Sequence, residues 1–161
     1  MAGEIVNVRM AEMNMVRDSH SLKTILGSCV GVILHDPERR IAGLAHVMLP
    51  ARARGDSAIG KYADTAIPAL LAMLTENGSR VSSLRAYLVG GARMFPMASG
   101  PIGSIGDQNI CAARKALADA AVPIVFEDTG GTRGRTVIFD NSKGEVSVRT
   151  LASTGSIGGT A

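Results

Sequence analysis

Two residues in the first third of the chain, Cys29 and His46, are of the types that carry out acyl transfer together. A cysteine attacks as its thiolate, and a neighbouring imidazole can take the thiol proton and later give it to a leaving group. Gly27 and Ser28 directly precede the cysteine. A glycine there permits a tight turn that aims backbone N–H groups at one point, where they would hold the oxyanion of a tetrahedral intermediate. The pattern predicts a cysteine hydrolase.

The segments around this pair predict that the two side chains lie close together. Residues 30–34 and 41–49 are apolar runs rich in strand-forming side chains, and the residues between them are typical of a turn. We expect a β-hairpin about the Pro37-Glu38 corner. Cys29 and His46 are equidistant from that corner, so the hairpin places them directly opposite each other on one face. A slip of one residue would send them to opposite faces.

The residues alone leave a second interpretation open. A lone cysteine or histidine in an apolar strand is more often an inert core residue than a catalytic one. The remaining candidates are weaker: Cys111 is expected in the first turn of a helix as a packing residue, His35 at the solvated edge of the turn, and His20 in a loop. The sequence contains no Cys-x-x-Cys or His-x-x-x-His spacing, so no metal site is predicted.

The order of the expected elements favours an α+β sandwich, in which helices pack on a largely antiparallel β-sheet. Strands come first, then two helices separated by a strand, then three strands. The first helix has its apolar face at residues 63–74 and ends at Asn77-Gly78, and Asp107 is expected to cap the second. The expected strands are residues 4–10, 13–16, 30–34, 41–49, 84–89, 124–126, 136–139 and 145–149. Residues 1–151 are predicted to form one domain, followed by a flexible tail at 152–161.

Composition excludes several other classes of protein. Hydrophobic residues make up 46% of the 161 residues and aromatic residues only 3%, so the chain is globular and poorly suited to stacking on single-stranded nucleic acid. The net charge of +3 comes from scattered rather than clustered arginines and lysines, which gives no nucleic-acid patch. No apolar run is long enough to enter a membrane and no signal peptide is evident. With two cysteines, a reducing cytoplasm is expected.

The motifs around Cys29 and His46 make the chain recognisable. It resembles the CheD family of chemoreceptor glutamine deamidases along roughly residues 5–149. The resemblance is carried by LGSCVGV at 26–32, Asp36-Pro37, GLAHVMLP at 43–50, GKYADTA at 60–66, GGARMF at 90–95, Ile102-Gly103, and EDTGG at 127–131 with Arg135.

This resemblance implies a specific activity. Members of the family hydrolyse glutamine side chains of methyl-accepting chemotaxis receptors to glutamate and ammonia, and their fold resembles that of toxin-type Cys–His deamidases. The family cysteine falls on Cys29 and the histidine on His46. A threonine that orients the histidine is expected six residues before the cysteine, where this chain has Lys23. Thr24, one residue later, is the candidate, and a backbone carbonyl or another hydroxyl is the alternative.

The resemblance also implies partners and a substrate surface. It requires no metal and no cofactor, and it adds a CheC-type CheY-phosphate phosphatase as a partner. A helical receptor substrate calls for an open groove rather than a deep pocket. The loops at 51–60 and 90–106 are the candidate surface, with Arg93 and Phe95 in the second. Phe95 is either an exposed anchor or a plug beneath its loop. Two rival functions remain: an amidohydrolase with another protein substrate, and a CheD-like module that only binds the phosphatase.

Overall fold

A computed structural model describes residues 3–94 and 103–152. Within that part the chain forms nine strands and two α-helices. The strands are β1 Ile5–Asn7, β2 Met13–Arg17, β3 Ser21–Leu26, β4 Val30–Asp36, β5 Ile41–Val47, β6 Arg85–Gly90, β7 Ile124–Thr129, β8 Arg135–Asp140 and β9 Glu145–Thr150. The helices are α1 Ala63–Glu76 and α2 Ile105–Asp119. The expected tail at 152–161 lies outside the described residues from position 153 onward.

The strands form two sheets. A four-stranded sheet has the order β1-β3-β8-β9, and a five-stranded sheet has the order β2-β5-β4-β6-β7. Only the β1–β3 and β6–β7 pairs are parallel. The predicted class, α+β with a largely antiparallel sheet, is confirmed, and the β-structure is divided between two sheets.

The two sheets and the helices stack as three layers. The β4–β5 hairpin is buried along its whole length because it lies in the middle layer. Side chains on one of its faces pack against the four-stranded sheet, as Ile33 and Leu44 do with Leu22 and Phe139. Side chains on its other face pack under the helices. Strands buried on both faces read as continuous apolar runs, which is why this hairpin stands out in the sequence.

The hairpin is confirmed, but the expected register is wrong by two residues. Gly31, not Cys29, lies opposite His46. The difference arises because β4 continues to Asp36, so the turn is centred between Glu38 and Arg39. An even shift preserves the face on which His46 lies. Cys29 is one residue before β4 and packs against the core between the two sheets, which is the side of the hairpin that His46 faces.

The continuation of β4 also corrects the expectation for His35. Its side chain is buried and lies between the sheets, with its ring 4.9 Å from that of Phe139. Burial lowers the pKa of His35 below its ordinary value, although the neighbouring Asp36 carboxylate opposes that shift. His35 is therefore a packing residue at the turn end of the sandwich.

The start of α2 differs from the prediction. Ser104 is the N-cap residue, and Asp107 is the third helical residue of a capping box, in which the side chains of the two residues bond each other's backbone N–H groups. Because the helix begins earlier than expected, Cys111 lies past its first turn and is exposed. In α1, Pro68 is accommodated inside the helix, and Asn77 forms the C-cap as predicted.

Neither helix is both long and apolar enough to cross a membrane, a statement that applies to residues 3–94 and 103–152.

Candidate active site

Cys29 occupies a bend between two strands that belong to different sheets. Strand β3 ends at Leu26, the bend covers residues 27–29, and β4 begins at Val30. The Cys29 side chain packs against the core between the sheets, yet all three bend residues remain partly exposed. Cys29 is thus packed against the core on one side and partly exposed on the other.

His46 is held by a chain of hydrogen bonds that ends on the backbone. Thr24 Oγ1 lies 2.7 Å from His46 Nδ1 and 2.6 Å from the carbonyl oxygen of Val8. A threonine hydroxyl has one hydrogen, and a carbonyl can only accept. Thr24 therefore donates to Val8 and accepts from the Nδ1–H of His46. This fixes the tautomer, and the lone pair of the neutral ring is left on Nε2.

Thr24 reaches His46 because of the alternation of β3. Leu22, Thr24 and Leu26 point into the space between the sheets, whereas Lys23 and Ile25 point away from it. The residue at the expected family position, Lys23, is thus on the wrong face. A backbone carbonyl, the predicted alternative to Thr24, also takes part: the Val8 carbonyl accepts the hydrogen bond of the Thr24 hydroxyl.

Burial shifts both titratable groups toward their neutral forms. It lowers the pKa of His46 from its ordinary value of 6.5, although the Val8 carbonyl and the Glu12 carboxylate partly offset this effect. It raises the pKa of the Cys29 thiol above its ordinary value of 9.0. At neutral pH the resting pair is therefore a neutral thiol beside a neutral imidazole, and a thiolate must form during attack on a substrate.

The three carbonyl groups of the bend all point to one wall of the site, which is formed by the glycine turn after β6 and by Asn109 of α2. The carbonyl of Gly27 accepts from Ala92 N–H at 3.0 Å, and that of Cys29 accepts from Gly91 N–H at 2.9 Å. The carbonyl of Ser28 accepts from the side-chain amide of Asn109 at 3.0 Å. In a trans peptide the C=O and the following N–H point in opposite directions. The N–H groups of Ser28 and Cys29 therefore point away from this wall.

Glycines make the close approach of this wall possible. A β-carbon on Gly90 would lie 2.4 Å from the Cys29 carbonyl oxygen, and Gly90 has a φ of +105°. Only glycine combines that backbone conformation with that contact. The sequence contains Gly90-Gly91 directly after a strand, which is a visible signal, but its relation to the cysteine bend depends on contacts between distant segments.

Asn109 and Val8 are the site residues that sequence reasoning missed. Asn109 carries the one signal that could have revealed it, because it is an amide at a buried position of the helix, one turn before Ala113. Val8 contributes only its carbonyl, and no side-chain pattern marks a carbonyl as part of a site.

Arg93 lies close to the wall but points outward. Its backbone N–H donates to the Gly131 carbonyl at 2.8 Å, and its half-exposed guanidinium pairs with Asp107 at 3.0 Å. It thus links the glycine turn after β6 to the first turn of α2. Phe95, the other residue predicted for this surface, lies outside the described residues.

A cavity of about 510 Å³ lies elsewhere, between the two helices. Its lining includes Pro50, Pro68, Leu71, Ala112 and Ala116, and it contains neither Cys29 nor His46. The lining also includes Asp64, Lys115 and Asp119, so the cavity is not purely apolar. It is separate from the Cys29 bend and from the His46–Thr24 hydrogen bond.

A thiol in a tight bend, on the same side of the hairpin as an imidazole whose tautomer is fixed by a hydroxyl, is a combination of groups that cysteine hydrolases use. Comparison with known proteins gives the family. The family model described as CheD chemotactic sensory transduction matches residues 48–150. The chain belongs to this CheD family. The match begins just after His46, so the roles of Cys29, His46 and Thr24 rest on the geometry described above.

Curated relatives match over nearly the whole chain. "Chemoreceptor glutamine deamidase CheD" of Halalkalibacterium halodurans is 42% identical over 158 residues, covering 92% of this chain and 94% of that protein. The protein of the same name from Bacillus licheniformis is 42% identical over 152 residues, covering 91% and 90%. "Probable chemoreceptor glutamine deamidase CheD" of Methanococcus vannielii is 41% identical over 146 residues, covering 90% and 94%.

A solved structure gives a more distant likeness. The hypothetical protein YfiH of Bacillus licheniformis aligns with a TM-score of 0.48 at 14% identity, covering 80% of this chain and 60% of that one.

Proposed function

We propose that this protein hydrolyses glutamine side chains of chemoreceptors to glutamate, with Cys29 as nucleophile. The names of the curated relatives give the substrate class. One observation carries the chemical part: the 2.7 Å hydrogen bond from His46 Nδ1 to Thr24, on the face of the hairpin that also bears Cys29. It leaves Nε2 as the basic nitrogen on that face.

In the first half-reaction His46 Nε2 takes the proton of the Cys29 thiol as the sulfur attacks the amide carbon. The N–H groups of Ser28 and Cys29 bind the oxyanion, and Gly27 permits the turn that aligns them. His46 then returns the proton to the amide nitrogen, the carbon–nitrogen bond breaks and ammonia leaves. The product is a thioester between Cys29 and the former glutamine side chain.

In the second half-reaction a water molecule is the nucleophile. Neutral His46 takes a proton from the water molecule, and the oxygen attacks the thioester carbon. The carbon–sulfur bond breaks, the thiol of Cys29 regains its proton from His46, and glutamate is released. Thr24 accepts from Nδ1–H throughout, so it stabilises the imidazolium in both halves of the reaction.

The position of Cys29 supports a large, convex substrate. The bend is partly exposed and lies at the surface rather than in the cavity between the helices. A receptor helix could present a glutamine to such a bend without unfolding. The loop at 51–60 and Arg93 remain our proposed contact surface. The Asp56 carboxylate fixes that loop through the Tyr62 hydroxyl and the Ala58 N–H.

We further propose that the protein works in the cytoplasm and binds a CheC-type phosphatase through the same surface. Addition of such a phosphatase should change the deamidation rate when both proteins are present at comparable concentrations. A rate that stays constant up to saturating phosphatase would contradict this partner while leaving the activity itself untouched.

The activity is tested with the purified protein and cytoplasmic fragments of chemoreceptors. We expect selected glutamines to gain about one dalton by peptide mass spectrometry, with an equal amount of ammonia released. Free glutamine, short unstructured peptides and unrelated helical proteins serve as controls. Deamidation of the unrelated proteins at the same rate would favour an amidohydrolase with other substrates, and none on any protein would favour a binding module.

A further inference from the structure

A buried amide on α2 joins the two halves of the candidate site. Asn109 has no exposed surface. Its Nδ2 group donates one hydrogen to the carbonyl of Ser28 and the other to the carbonyl of Met48, each at 3.0 Å. Ser28 precedes Cys29 by one residue, and Met48 follows His46 by two. One side chain thus holds the bend that carries the thiol and the end of the strand that carries the imidazole.

The cost of burying this amide argues against a purely structural role. The Oδ1 atom of Asn109 is buried without a hydrogen-bond partner among residues 3–94 and 103–152. A buried polar atom left unpaired is destabilising. The neighbouring positions Ile110, Ala113 and Leu117 already attach the helix to the core by apolar contacts. The amide therefore provides geometry that packing alone does not.

We propose that Asn109 is a positioning residue for the deamidation reaction, and this inference rests on the proposed function. The bond to the Ser28 carbonyl sets the plane of the peptide between Ser28 and Cys29. That plane determines where the N–H of Cys29 points, because the two groups are antiparallel across one peptide unit. Without the bond the peptide can rotate, and the N–H no longer meets the developing oxyanion.

The second bond of Asn109 couples this peptide to the base. The pairing of β5 with β4 ends at Val47, so Met48 is the first residue that this pairing no longer holds. Holding Met48 and Ser28 on one amide fixes the spacing between the end of the base strand and the nucleophile bend. A small misplacement of either group has a large effect on rate, because the reacting atoms must meet in one geometry.

The test compares three variants of the full chain. Asn109→Leu keeps a similar volume and removes both donors, and Asn109→Asp keeps the shape but turns a carboxylate toward two carbonyls. Leu117→Ala is the matched control, since it weakens the same helix at a fully buried position without touching either carbonyl. Each variant is assayed for thermal stability, for kcat and KM on a receptor fragment, and for alkylation of Cys29 by iodoacetamide, a reaction that uses no oxyanion site.

We expect Asn109→Leu to lower kcat by at least about tenfold, with KM within about twofold. The alkylation rate should fall less than kcat, because alkylation depends on the base but not on the oxyanion site. Asn109→Asp should lower kcat at least as much, and Leu117→Ala should lower the melting temperature but retain kcat. Wild-type kcat in Asn109→Leu, or an equal loss in Leu117→Ala, would overturn the inference. Failure of the proposed function is distinguishable, because it shows as an inactive wild-type protein.

Discussion

Thr24 Oγ1 accepts a hydrogen bond from Nδ1 of His46 at 2.7 Å because its own hydrogen is given to the Val8 carbonyl. The direction of the bond determines that Nδ1 carries a proton and that Nε2 is free to act as base. Three segments far apart in the chain, the β1–β2 connection, β3 and β5, are needed to establish it.

Removal of this hydroxyl should reduce turnover more than stability. In Thr24→Val we expect kcat to fall by about 10–100-fold, since a hydrogen bond to a charged partner is worth about 1.5–3 kcal/mol. Thr24→Ser keeps the hydroxyl and serves as the matched variant, with kcat within a few-fold of wild type. Steady-state kinetics on a receptor fragment distinguish the two. Equal kcat in Thr24→Val and wild type would show that Val8 or packing alone orients His46.

The pKa directions predict the pH dependence of the reaction. The pKa of His46 is lowered by burial, so kcat/KM should rise with pH through a value below 6.5 as the imidazole loses its proton and becomes a base. The pKa of Cys29 is raised, so the alkaline limb should begin only above 9.0, where the thiol is ionised before the base can use its proton. Neutral pH lies on the plateau.

Thiolate absorbance near 240 nm checks the resting state directly. Wild type minus Cys29→Ala should show no thiolate at pH 7 and a rise only above pH 9, since burial raises the pKa of this thiol. A thiolate already present at neutral pH would mean that the pair rests as thiolate and imidazolium, contrary to the neutral pair described above.

A methyl group opposite His46 should disturb the site. Gly31 is the residue that faces His46 across the hairpin, and a β-carbon there would lie 3.1 Å from Leu26 Cδ1 and 3.7 Å from Thr24 Cγ2. We expect Gly31→Ala to cost about 1–3 kcal/mol of stability through overpacking and to lower kcat by displacing Leu26, the residue directly before the Cys29 bend.

Gly43→Ala is the control for that experiment. A β-carbon at Gly43 would also be crowded, 2.7 Å from Leu74 Cδ1, but it lies on the helix-facing side of the same hairpin. It should lower the melting temperature while kcat per folded molecule stays close to wild type. If both variants lose activity only in proportion to their loss of stability, the face of the hairpin that bears Gly31 and His46 contributes to activity through stability alone.

Asp36 should control the stability of the hairpin turn. Its fully buried carboxylate accepts from Ser79 at 2.7 Å and from the Glu38 N–H at 3.0 Å. Burial alone would raise its pKa, but the bonds from Ser79 and Arg39 outweigh burial and lower it. A carboxyl whose folded pKa is depressed contributes stability above its unfolded pKa of about 3.9 and loses it as pH falls through the folded value.

Asp36→Asn should therefore destabilise the protein at pH 7 by about 1.5–3 kcal/mol. Its stability should also fall less steeply than that of wild type below pH 4, where the native carboxylate takes up a proton. Urea denaturation at several pH values measures both effects. Parallel pH profiles for the two proteins would show that Asp36 is not the group whose protonation weakens the fold.

The sequence predicted the local features of this site, because local features depend on neighbouring residues. Two apolar runs around a turn gave the hairpin and the shared face of Cys29 and His46. The register was displaced by two residues because β4 extends through His35 and Asp36, whose polar side chains resemble the start of a turn. Burial between the sheets determines their conformation, and a single sequence does not display it.

Long-range contacts were not predictable in the same way. Only the family resemblance points to Thr24, and alternation along β3 distinguishes it from Lys23. The Val8 carbonyl and the Asn109 amide reach the site through the packing of the two sheets and of α2. Ser104 was overlooked as the cap of α2 because Asp107 is also a good capping residue, and the two act together.

The central claim is that the thiol of Cys29 performs the deamidation. The most direct measurement is mass spectrometry of receptor fragments incubated with wild type, Cys29→Ala and Cys111→Ala. Cys111 is the exposed second cysteine on α2 and provides the matched control. We predict the one-dalton gain at glutamine with wild type and Cys111→Ala, and none with folded Cys29→Ala. Glutamine conversion by Cys29→Ala at the wild-type rate would contradict the account.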